Sequence, residues 1–97
     1  MSNFLVVYKG GAAGATEEEQ SAAMAAWGAW FGELGSAVVD AGAPFGASKS
    51  VGGNGSAGLS GYTVLTAADL DSAVGLTSNC PIFASGGSLE VYEALEM

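Results

Sequence analysis

The chain has 97 residues, room for one domain spanning 1–97 with a modest core that a second subunit would help to stabilise. Ten carboxylates stand against only Lys9 and Lys49, giving a formal charge of −8; this excludes nucleic acid, whose phosphates need clustered basic side chains, and argues against anionic membranes. A lone cysteine, Cys80, forms no internal disulfide, and no charged segment with an apolar run opens the chain, so a reducing cytoplasm is the expected location.

The first expected element is a strand from Phe4 to Lys9, with Phe4, Val6 and Tyr8 on one face and Leu5 and Val7 on the other. Both faces are apolar, which predicts a strand covered on two sides. A loop over Gly10 to Ala15 leads to Thr16-Glu-Glu-Glu19, a capping box opening a helix from Glu17 to Leu34 that Gly35 ends. On that helix Ala23, Met24, Trp27, Trp30, Phe31 and Leu34 share one stripe, while Ala22, Ala25, Ala26, Ala29 and Gly32 make the opposite side small. The helix can therefore be approached closely from behind.

A strand is expected over Ala37 to Asp40, followed by the Gly42-Ala-Pro44 turn. Gly46 to Ser60 is rich in Gly and Ser; the Asn54-Gly55 turn signal favours a short hairpin arm starting at Ser48 to Val51 over a disordered linker. Tyr62 to Leu65 reads as a strand, and Thr66-Ala-Ala-Asp69 as a second capping box. The helix it opens turns Leu70, Ala73, Val74 and Thr77 inward and ends at Pro81; Leu89 to Leu95 is the last strand. The order is β-α-β-β-α-β, an α+β chain whose two capped helical units suit the halves of a split βαβ fold.

Most motifs that carry chemistry fail in detail. The glycine-rich loop before the first helix has no Walker lysine, and Glu17, Glu18 and Glu19 would oppose a phosphate there. Only thirteen uncharged residues separate Glu19 from Glu33, short of a membrane span despite the Gly28-to-Gly32 spacing. Without histidine, with one thiol and with no calcium-loop spacing, no metal site is expected, and no cofactor either. Asn54-Gly-Ser-Ala-Gly58 lacks the first glycine of a nucleophile elbow, and no imidazole exists to activate a serine. Cys80 reads as a buried structural thiol, since a reactive thiolate would need Lys9 or Lys49 beside it. Asp40 is the most suggestive carboxylate, at the end of an apolar strand, with capping of the turn by its side chain as the alternative role.

Met24 to Gly35, Gly61 to Val74 and the terminal Gly86-Gly-Ser-Leu-Glu-Val segment together resemble the YCII-related family of small bacterial α+β proteins. The resemblance runs nearly end to end. It implies a ferredoxin-like β-α-β-β-α-β sandwich that pairs into a dimeric α/β barrel, hence a homodimer, with a cleft between sheet and helices for a small organic ligand. Trp27, Trp30, Phe31, Pro44 and Ser48 are the candidate lining residues. Some family members have been proposed to use a His-Asp pair in that cleft; here Asp40 takes the acid's place, because the family's Gly-Pro turn matches Gly42-Ala-Pro44, and nothing takes the histidine's. The expected function is a dimeric small-molecule-binding or accessory module. The alternative is a cofactor-independent enzyme, lyase- or hydrolase-like, with Asp40 as base and Tyr8 or Lys49 as polar partner.

Overall fold

Side-chain alternation in the first strand, β1 (Ser2–Lys9), sets the layout of the molecule, because it sends Phe4, Val6 and Tyr8 to one face, where all three are buried. The computed structural model describes residues 1–10, 16–53 and 58–95. Within them the order is β1, helix α1 (Glu17–Leu34), a 3-10 turn, β2 (Val38–Pro44), β3 (Leu59–Ala67), helix α2 (Leu70–Leu76), a 3-10 segment Pro81–Ser85, and β4 (Ser88–Ala94). The four strands form one antiparallel sheet in the order β2-β3-β1-β4. The protein is thus α+β, with two α-helices and a four-stranded sheet.

Both packed clusters of the core lie on one side of that sheet, while Val7, also buried, points to the other. Val6, Tyr8 and Leu65 pack with Trp30, Cys80 and Ile82, and Phe4 and Ala67 pack with Ala73, so both helices and the 3-10 segment cover the same face. Alternation along β3 supplies the other half of this floor, with Gly61, Thr63, Leu65 and Ala67 buried and the residues between them only half-buried. On the opposite face no helix packs among the described residues; Leu5, Tyr62 and Val64 are half-buried there, Tyr92 is half exposed and Val7 is buried. The expected covering of β1 on both sides is thus met by packed helices only on the Phe4, Val6 and Tyr8 side, with Val7 buried on the other and Leu5 half-buried. On the open face Phe45 stacks on Tyr62 with centroids 5.8 Å apart, and Lys9 Nζ pairs with Glu90 2.8 Å away.

Thr16 caps α1 as expected, its Oγ1 accepting from Glu19 N at 3.2 Å, and Gly35 N–H closes the other end on Phe31 O. The inward stripe is shorter than expected. Trp27, Trp30, Phe31 and Leu34 reach the core, whereas Met24, one turn earlier, is 76% exposed. The N-terminal half of α1 stands off the sheet, and that gap is where the cleft opens.

Three other expectations shift. The second strand runs to Pro44 and not only to Asp40, because β3 pairs with it as far as Pro44 opposite Gly61. The second helix is capped by Asp69 itself, whose Oδ1 accepts from Ser72 N at 2.8 Å; Thr66 is still in β3 and donates to Ser2 O. Ala73 and Thr77 are buried, but Leu70 and Val74 are each about half exposed, so the helix turns a narrower stripe to the sheet than expected. Residues 48–51 form no strand, and the Asn54-Gly55 turn lies outside the described residues, as do residues 11–15 of the first loop. The last strand stops at Ala94 with Leu95 exposed, while Leu89 and Val91 pack against the core. Pro81 opens the 3-10 segment, its fixed φ suiting the first turn. Among the described residues no helix is long and apolar enough to cross a membrane.

Candidate functional site

A cleft of about 1270 Å³ lies between the exposed half of α1, the β2–β3 edge and the Pro81–Ser85 segment. One wall is Ala23, Ala26, Trp27 and Phe31 of α1, and the facing wall is Ala43 and Pro44 of β2. Tyr8 and Thr63 lie at the floor.

The floor is held by a hydrogen-bond chain that crosses three strands. Tyr8 Oη donates to Thr63 Oγ1 at 2.7 Å, and Thr63 Oγ1 donates to Ala41 O at 3.0 Å. The directions are forced. A carbonyl only accepts, so the single Thr63 proton goes to Ala41, and Thr63 can then meet Tyr8 only as an acceptor. Burial pushes the Tyr8 phenol up to about 12, with the hydrogen bond to Thr63 pulling the other way, so it stays protonated through neutral pH. The ring of Tyr8 meets that of Trp27 edge to face, centroids 5.0 Å apart, and Trp27 in turn meets Trp30 edge to face. Gly61, opposite Tyr8 in the sheet, lets β2 come close: a Cβ there would stand 3.1 Å from Ala43 O.

Ala41 O reaches Thr63 because β2 is irregular at this point, its register to β3 shifting between Asp40 and Ala43. Gly42 makes the irregularity, with φ 78° and a backbone so close to β3 that a Cβ would stand 1.7 Å from Tyr62 O. Asp40 braces it, its Oδ1 accepting from Gly42 N at 2.8 Å. That is a side-chain-capped turn of the kind aspartate makes readily.

The candidate residues therefore separate. Tyr8, Trp27, Phe31 and Pro44 line the cleft. Asp40 is exposed and is not among the lining residues, although the four residues after it are. Lys49 and Ser48 are exposed and outside it, in the connection after β2. Trp30 sits behind the cleft wall, 3% exposed, with an Nε1 that has no hydrogen-bond partner among the described residues. The expected meeting of Asp40, Tyr8 and Lys49 in one cleft does not occur. Thr63 was absent from the sequence expectation, though a threonine alternating with Gly61 and Leu65 on the buried side of a strand signals a polar group needing a partner.

Cys80 is buried in the core, and burial raises its thiol above the ordinary value, which suits a structural role. Among the described residues no group of three metal-ligating side chains exists. Comparison with known protein families, curated proteins and solved structures finds no match to this chain.

Proposed function

We propose that this chain is a small-molecule-binding or accessory module of the YCII-related type, working as a homodimer with a ferredoxin-like arrangement in each subunit. The strand order β2-β3-β1-β4 and the alternating β-α-β-β-α-β sequence support the arrangement, and the uncovered apolar sheet face supports pairing through the sheet. The observation that carries the binding reading is the Tyr8–Thr63–Ala41 chain at the floor of a cleft with apolar walls, because a fixed polar group in an apolar recess is what orients a ligand. A binding role also fits the charge inventory, since the only ionisable side chains along the cleft among the described residues are Tyr8, Tyr62 and Glu19.

N-phenyl-1-naphthylamine, an uncharged probe that brightens in apolar sites, tests this reading. Emission should rise with the wild-type protein and not with Ala26→Trp, which places an indole in the cleft from an exposed helix position. Equal brightening by both proteins, or none by either, would overturn it.

A further inference from the structure

Resting on the reading of the cleft as a ligand site, we infer that its occupant is an uncharged aromatic molecule carrying a hydroxyl or amino group that donates a hydrogen bond to Tyr8 Oη, and that carboxylates and phosphates are rejected.

The donor requirement follows from proton accounting at the floor. Both hydroxyl protons are committed, that of Thr63 to Ala41 O and that of Tyr8 to Thr63 Oγ1. What Tyr8 offers the cleft is lone-pair density on Oη. A ligand whose polar end is a carbonyl or ether oxygen would set acceptor against acceptor there, and one of them would lose its hydration without replacement. A hydroxyl or amine instead extends the chain by one bond, in a direction that polarises the others favourably.

Charge removes anions. Lys9 and Lys49 are the chain's only basic side chains, and neither lines the cleft. Lys9 is engaged with Glu90 in β4. Glu19 stands at the helix end of the cleft, so an entering carboxylate or phosphate meets a like charge and no counter-ion. The walls select a flat ring. Ala22, Ala23 and Ala26 give the helix side a low surface, Ala43 and Pro44 oppose it, and Trp27 and Phe31 supply aromatic contact.

Three naphthalenes of nearly equal shape separate these requirements in calorimetric titrations at pH 7: 2-naphthol as donor, 2-methoxynaphthalene as acceptor only, and 2-naphthoate as anion. The expected order is 2-naphthol tightest, 2-methoxynaphthalene about tenfold weaker, and no measurable heat with 2-naphthoate. Tyr8→Phe should erase the tenfold preference by weakening 2-naphthol while 2-methoxynaphthalene, freed of the opposing lone pair, binds at least as tightly as to wild type, which a general loss of folding would not do. Binding in which 2-methoxynaphthalene equals 2-naphthol, in which 2-naphthoate is preferred, or in which Tyr8→Phe keeps the preference would overturn the donor requirement and leave the binding module standing. Failure of all three to bind a folded protein would remove both.

Discussion

Tyr8 and Thr63, 55 residues apart in sequence, share a buried 2.7 Å hydrogen bond that ties β1 to β3 and passes on through Thr63 to Ala41 in β2. Thr63 has no exposed surface, so its hydroxyl has no water to fall back on. Thr63→Val keeps the shape and removes both bonds, leaving Tyr8 Oη without its acceptor and Ala41 O without its donor. The expected loss is about 1 to 3 kcal/mol in urea unfolding. Thr63→Ser, which retains the hydroxyl, should lose less.

Gly42→Ala should be far more damaging than any change at Asp40. An added methyl would overlap Tyr62 O, and the positive φ is strained for alanine, so a loss above about 3 kcal/mol or failure to fold is expected. Asp40→Asn keeps an acceptor for Gly42 N and should fold normally, with Asp40→Ala intermediate. Circular dichroism melts of the three variants check the ranking.

How far the sequence exposed this arrangement depends on whether a feature is local. Helix ends and strand faces are local, so Thr16 as cap, Gly35 as stop, and Phe4, Val6 and Tyr8 as one buried face were all legible. Asp40 misleads for a physical reason: an aspartate before Gly-x-Pro reads equally as a buried acid or as a turn brace, and only the register shift against β3 decides. Met24 fits the apolar stripe of α1, yet it lines the cleft that separates this half of the helix from the sheet, and periodicity carries no information about how closely a helix lies on its neighbour. Thr63 needed knowledge that Tyr8 lies on the adjacent strand, which is a tertiary fact.

Alkaline pH should unfold the protein earlier than its carboxylates would suggest. The folded-state value of Tyr8 lies above the ordinary phenol value near 10, so its contribution to stability is fully present below pH 10 and is lost as pH rises through about 12. Between those limits the expected decline is of the order of 2 to 3 kcal/mol. Tyr8→Phe should flatten that part of the curve, measured as urea midpoint against pH.

The open sheet face predicts a dimer that a single charge disrupts. Val64 lies in the middle of β3, between Leu5 on β1 and Asp40 on β2. Val64→Lys places a cation near the Asp40 position, tolerable in a monomer exposed to water and costly when the face is covered by a second copy. Sedimentation should show a dimer for wild type and a monomer for Val64→Lys at micromolar concentration. A wild-type monomer would contradict pairing through the sheet.

Cys80 should be unreactive while the fold is intact, since it is buried and its thiol titrates above the ordinary range. Ellman's reagent should report no thiol in native protein and one in denaturant. Rapid reaction under native conditions would show that the core around Ile82 opens.

Whether the cleft beside Tyr8 holds a ligand is read by a 1H–15N spectrum recorded during titration with 2-naphthol. A ligand in the cleft should concentrate shifts at Ala23, Ala26, Gly42, Gly61 and the Trp27 indole, all along its walls and floor. Shifts confined to Leu5, Val64 and Tyr92 on the open sheet face, or none up to millimolar probe, would contradict it.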